Sequence, residues 1–347
     1  MPQRIRSTRF LAAAAAAVLA APPAAAQGGA VDAQCAATSR PLQDACQKSI
    51  DLFDFMAPQL GTALAGGNAV IGEGGAYGRV GRFSLGLRAT AFEGGLPQLQ
   101  NVTLSTSGAQ ASDIGVKNQY LGAPAVDAAI ALFPGVRVGG VSVGSVDLLG
   151  TATYVPEFES DELSVVTPSG SLKFGYGARV GVVSESSVLP GVALTYLRRD
   201  LPRIDLFGTV AANGSVVDDT LGLRALEVET QAWRVVAGKR LSILGLSAGV
   251  GQDRYSSGAR LGAVVNESVL GFGLTRFEAP EIELAQTLTR TSYFGGVSLN
   301  FPGVRLAAEV GRATGGRVRD SYNRFDGGER RGDDDLLYFG AGIRIGF

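Results

Sequence analysis

The sequence predicts an all-β fold: a transmembrane antiparallel up-and-down β-barrel of about fourteen strands, preceded by a short N-terminal helical segment. Three observations carry that reading. Apolar residues alternate with small or charged ones along most of the chain, which is the period of a strand. Short Pro-Gly turns at one set of strand ends face long polar loops at the other. Beyond the amino-terminal leader no apolar run reaches the roughly 18 residues that a membrane helix needs.

The chain opens with a basic stretch (Arg4, Arg6, Arg9), an apolar run from Phe10 and small residues at Ala24-Ala25-Ala26. That is the layout of a secretory signal over residues 1–26, cleaved before Gln27. The leader holds 3 of the 31 basic residues and no acid, so the mature chain has 28 basic residues against 32 acidic ones, a net charge of −4. Such a balance argues against a nucleic-acid partner.

Residues 27–67 form the predicted helical segment. Cys35 and Cys46 are the two cysteines of the chain, and an exported protein meets an oxidising space, so they are expected to pair. On one straight helix they would stand about 16 Å apart, beyond disulfide reach, so the chain bends between them. Ser39-Arg40-Pro41 supplies a helix start there, and apolar residues at Leu42, Ala45, Cys46, Ile50, Phe53 and Met56 give one amphipathic helix, ended by Gly61 and Gly66-Gly67.

Residues 68–347 make the predicted barrel. Strands are expected near 83–93, 124–133, 137–155, 170–183, 190–199, 203–211 and 220–228. The series continues near 231–238, 241–254, 258–266, 270–277, 284–300, 304–312 and 336–347. The pattern Pro-Gly-Val at Pro134, Pro190 and Pro302 opens strands after tight turns, since Pro presets φ and Gly reaches positive φ. The connections near 94–122, 156–169 and 313–335 are long and polar.

Alternation alone does not say which face meets lipid. In strand 172–182 one face carries Leu172, Phe174, Tyr176, Ala178 and Val180, and the other Lys173, Gly175, Gly177 and Arg179. Glycine weakens a solvent-facing strand, so a face of Gly and Arg is better suited to a partly filled lumen than to the outside of a soluble sandwich. Aromatic residues at strand ends (Phe133, Tyr154, Tyr196, Phe301, Phe347) fit interfacial girdles. The charged positions on the expected lumen face are Arg88, Asp127, Arg137, Asp147, Lys173, Arg179, Arg234, Arg260, Arg290, Arg305, Glu309 and Arg344. Such a lining either sets a constriction with mild anion preference or pairs across the barrel and fills it.

The last strand, with Gly342, Ile345 and a terminal Phe347, resembles the C-terminal targeting strand of outer-membrane proteins. The resemblance implies recognition by the barrel-assembly machinery of a Gram-negative outer membrane, with membrane lipid around the barrel. A helical segment followed by about fourteen strands also looks like the layout of the long-chain fatty-acid transporter (FadL-like) family, in which the N-terminal segment plugs the lumen. That family's N-terminal motif has no counterpart near the processed end, so no substrate is implied.

The chain has no histidine, which removes Ser/His and Asp/His hydrolytic arrangements and the commonest metal ligand. No carboxylate pair stands out by spacing, and no cofactor motif is present, so the reading is not an enzyme. Asp333-Asp334-Asp335 lie in a mixed-charge loop where a cation or a solvated surface are both open readings. Two functions follow: passive passage of a small or hydrophobic solute, gated by residues 41–63, or a non-conducting barrel that displays its long loops. A soluble exported sandwich is the third class.

Overall fold

Ten antiparallel strands join edge to edge and close. The computed structural model describes residues 29–155, 157–159, 163–210, 219–269, 273–278 and 281–346, and the leader 1–26 and Phe347 lie outside the described residues. The ring consists of β1 (Phe83–Pro97), β2 (Val116–Phe133), β3 (Ser145–Tyr154), β4 (Leu172–Val183) and β5 (Gly191–Asp200). It continues through β6 (Asp219–Leu241), β7 (Leu244–Val269), β8 (Glu283–Phe301), β9 (Val304–Thr314) and β10 (Leu336–Gly346). Each strand pairs with its neighbours in sequence, and β10 pairs with β1 from Ser84↔Gly346 to Phe92↔Tyr338, which shuts the seam.

Among the described residues the sheet contains fourteen strands, but only ten of them form the ring. The sequence reading splits β6 and β7 into two strands each, whereas the structure runs them unbroken for 23 and 26 residues. About 9–11 residues cross a bilayer in a tilted strand, so these two rise well past the ring. An irregularity in β6, where Ala225 takes φ 49° and the pairing shifts between Arg224 and Glu227, interrupts the alternation without making a turn. The expected strands at 203–211 and 270–277 correspond to Ile204–Val210 and Gly273–Glu278, which pair with the upper parts of β6 and β7. They widen a wall at the long-loop end. The expected strand 137–155 divides into a small hairpin, Val136–Val138 with Val141–Val143, and β3.

Within the ring the polarity is inverted relative to a soluble protein. In β1, Leu85 and Leu87 are 53% and 56% exposed, and the intervening Arg88 is 4% exposed. In β10, Ile343 and Ile345 face outward and Arg344 inward. The apolar face of the strands is therefore the outside of the barrel, and the charged face is the inside. The outer apolar band runs from Phe83, Phe133 and Phe301 at the short-turn end to Tyr120, Tyr154, Trp233 and Tyr293 nearer the loops. Above it the outward positions turn polar, at Gln252 and Arg254 of β7 and Arg312 of β9.

Before the barrel come α1 (Ala33–Ala36) and α2 (Arg40–Ala65). Cys35 and Cys46 form a buried disulfide with Cα atoms 5.5 Å apart, tying the short helix to the long one. Pro at the second position of α2 suits a first turn that lacks amide acceptors. The described part of the chain begins at the long-loop end, where the Gly29 amide donates to the Ser321 carbonyl. It then descends inside the ring, and the Gly81 amide reaches the Ala131 carbonyl at the short-turn end before β1 begins.

An arginine placed on the outer band is expected to cost about 2–4 kcal/mol near its middle and about 0–1 kcal/mol at its edge. Leu87→Arg should therefore lower the urea midpoint for folding into lipid vesicles far more than Gln252→Arg. Equal effects would contradict the position of the band.

Candidate functional site in the lumen

The inward charges fall into pairs on adjacent strands. Arg88 Nε meets Asp127 at 2.8 Å, and Arg234 Nη2 meets Asp253 at 3.0 Å. Asp147 and Arg179 stand directly opposite in the β3–β4 ladder, 2.6 Å apart. Arg179 also holds Glu73 at 2.8 Å, and Arg305 reaches the same carboxylate at 2.5 Å. These groups are mostly buried, which is tolerable only because each charge has a partner at hydrogen-bond distance.

The same arginines grip the chain that fills the ring. The last carbonyls of α2 have no intrahelical donors, and the helix dipole makes that end negative. Arg199 donates to the Leu64 and Ala65 carbonyls, Arg88 to Gly66, and Arg234 to Gly67. Arg344 donates to Ala69 at 2.5 Å, and the Asn68 amide donates to Glu309 at 3.0 Å. Arginines from β1, β5, β6 and β10 thus converge on residues 64–69. Gly66 permits this exit from the helix at φ 22°, a backbone state that L side chains rarely adopt.

At the long-loop end the acidic side of α2 binds loop backbone. Asp44 accepts from the amides of Ser105 (2.8 Å) and Gln110 (2.9 Å). Asp51 accepts from Asn323 through its amide (2.9 Å) and its side chain (2.7 Å). Asp54 pairs with Arg319 at 2.8 Å and accepts from Gln286, and Gln59 exchanges two hydrogen bonds with Gly95. Phe55 stacks on Phe325 at 4.2 Å between ring centres. Two loops, 98–115 and 315–335, are thereby packed against one helix. Burial lifts the carboxyls of Asp51 and Asp54 above their ordinary value, against the pull of Asn323 and Arg319.

Of the residues expected to line the lumen, Arg88, Asp127, Asp147, Arg179, Glu309 and Arg344 are buried inside the ring, and Arg305 is partly exposed near its short-turn mouth. Arg290 is buried too, but it turns toward the loops and donates to the carbonyls of Gly332 (2.9 Å) and Asp334 (2.7 Å). Lys173 is half-buried at the loop end of β4. Arg137 sits exposed on the small hairpin, outside the lumen, because the strand expected there is interrupted. Arg260 points outward beyond the ring and lies 4.0 Å from Glu283; it keeps the outward parity of Gln252 and Arg254 in the unbroken β7, which the sequence reading cuts in two.

Sequence reading missed Arg199, Asp253 and Glu73. Arg199 shares its inward parity with Ala193, Thr195 and Leu197, a signal present but faint at a strand end. Glu73 lies in a segment with no strand period at all. The Asp333–Asp335 run is engaged locally: Asp333 with Arg331, Asp334 with the Arg331 amide, Asp335 with Arg312. Among the described residues no cluster of His, Cys, Asp or Glu is arranged to hold a metal ion.

A closed ring with lipid-compatible walls and paired charges inside is built for hydrocarbon. The chain is a transmembrane β-barrel. No family model matches it, and no curated protein is significantly similar in sequence. Among solved structures it is similar to Ail, the attachment invasion locus protein of Yersinia pestis, at 9% identity over 78% of this chain and 100% of Ail, with a TM-score of 0.28. The β domain of the Bordetella autotransporter BrkA matches at 12% identity over 76% and 99%, with a TM-score of 0.32. The Pseudomonas putida toluene transporter TodX matches at 10% identity over 77% and 89%, with a TM-score of 0.29. At such TM-scores the likeness carries no weight of its own, and the inverted surface of the barrel decides the assignment.

Removing one partner of a buried pair leaves an uncompensated charge, at about 3–5 kcal/mol. Arg179→Met, which strands Asp147 and leaves Glu73 with Arg305 alone, is expected to lose about that much in urea titration, whereas the exposed Arg276→Met should change it little. A pH effect follows from Asp51 and Asp54. Their folded pKa values are raised, so the folded state binds more protons than the unfolded one above the ordinary value of 3.8. Their contribution to stability falls as pH rises from 3.8 through the raised values and is flat beyond. Amide exchange at Asn323, corrected for intrinsic rate, should show stronger protection just below the raised values than at pH 7 in wild type, and the difference should shrink in Asp51→Asn.

Proposed function

We propose that this outer-membrane barrel is closed at rest and displays an external lobe that α2 organises, rather than serving as an open pore. The observation that carries the reading is the double use of α2. Its carboxyl end and the turn that leaves it, residues 64–69, are held by Arg88, Arg199, Arg234 and Arg344, and its acidic side binds the two loops. Charge-assisted hydrogen bonds are worth roughly 1.5–3 kcal/mol each. Losing four together costs at least about 6 kcal/mol, so spontaneous undocking is rarer than about one molecule in 10⁴. The short-turn end of such a barrel faces the periplasm and the long loops face outward. Segment 27–67 acts here as a fixed plug, and the barrel needs no cofactor and performs no covalent chemistry.

The runner-up reading is passive passage of a small or hydrophobic solute. It is favoured by the seven glycines between Gly66 and Gly81, which give the lumen segment room to swing aside. Residues 41–63 would then gate, and the lumen charges would set selectivity. In either reading β10, carrying Gly342 and Ile345, is the strand offered to the assembly machinery, and it finishes by closing on β1.

In planar bilayers the full chain is expected to be silent, and a chain lacking residues 29–66 is expected to conduct or to lose its loop order. Steady conductance from the intact chain would overturn the closed-barrel reading. An epitope inserted just before Gly29 is expected to bind antibody on intact cells, because Gly29 lies beside Ser321 at the long-loop end. Labelling only after the outer membrane is broken would reverse the orientation.

A further inference from the structure

We propose that the short-turn mouth of the barrel is a binding site for a small anion bearing phosphate or carboxylate groups. The inference stands whether the barrel conducts or not. A cavity of about 250 Å³ opens there, where the segment 72–77 crosses the ring. Gly74 makes that crossing possible: a Cβ on it would fall 2.1 Å from the Gly238 nitrogen, so only glycine lets the two backbones touch.

Four cations line this cavity, Arg82, Lys239, Arg240 and Arg305, against two carboxylates, Glu73 and Glu185. The excess of two positive charges stands in a mature chain that is negative overall. Both carboxylates are committed: Glu73 to Arg179 and Arg305, and Glu185 to the Arg240 amide at 2.7 Å. Lys239 is held by the Ser186 carbonyl and Arg305 by Asn300 as well as Glu73. The side chains of Arg82 and Arg240 are exposed, and among the described residues neither forms an ion pair. Two guanidinium forks at the lip of a polar cavity match the planar, two-oxygen geometry of carboxylate and phosphate. The surplus of charge disfavours cations, and Ala76 and Tyr77 give too little apolar wall for a greasy solute. The volume fits a small phosphate or dicarboxylate, or the headgroup of one phospholipid from the inner leaflet.

The full chain in non-ionic detergent is to be titrated with inorganic phosphate, succinate and glucose by calorimetry, beside the Arg82→Gln/Arg240→Gln double variant. Both substitutions are at exposed side chains that hold no ion pair, and heat-modifiable gel migration checks that the variant is folded. Saturable binding of phosphate or succinate, weakened at least tenfold in the double variant, is the expected result. Repeating the phosphate titration in nanodiscs with and without phosphatidylglycerol separates the sources. Competition by the lipid assigns the site to a headgroup, and unchanged affinity assigns it to a soluble anion. Absence of saturable anion binding, binding untouched by the double variant, or equal binding of glucose would overturn the proposal.

Discussion

A strand edge inside hydrocarbon leaves backbone amides with no water to bind, so the sheet must meet itself. Here the meeting is the β10–β1 ladder, nine residue pairs from Ser84↔Gly346 to Phe92↔Tyr338. Everything else follows from it. Once the ring is shut, alternate side chains are forced into either lipid or a narrow interior, and no third environment exists between the two rims.

That sorting places many ionised groups in a small enclosed volume, and the interior resolves the cost by mutual pairing. Asp127, Asp147 and Asp253 on the wall answer Arg88, Arg179 and Arg234. The arginines keep spare donors, and the free carbonyls at the end of α2 supply acceptors without adding another carboxylate. A helix end and an arginine-rich wall are complementary in a way that two strands alone are not. The helix also serves the opposite end of the molecule, since its aspartates take up amides of loops that would otherwise need water. One element therefore satisfies both the lumen and the external loops.

The two long strands β6 and β7 show where a periodic reading overcounts. Apolar alternation continues along them past the membrane, because their upper inner face, with Leu221, Leu223, Leu261 and Ala263, packs on the helix and its loops. A segment that is buried by a protein core and one that is bounded by lipid look alike in period. The sequence therefore suggested four crossings where the chain makes two. Arg137 and Arg260 are misplaced for a related reason: a hairpin interrupts the strand expected at Arg137, and counting β7 as two strands discards the unbroken parity that turns Arg260 outward with Gln252 and Arg254.

By itself the sequence determined the barrel class, the inversion of polarity, the long helix with its Cys35–Cys46 clip and most of the inward charges. These are local properties: a period of two, a glycine-and-arginine face and a break between two cysteines need no knowledge of distant partners. Only the tertiary structure decided the ten-strand ring, the descent of the chain through the lumen and the convergence of Arg88, Arg199, Arg234 and Arg344 on residues 64–69. Those depend on residues up to 275 positions apart meeting in space, as Arg344 and Ala69 do, and no local pattern records such a meeting.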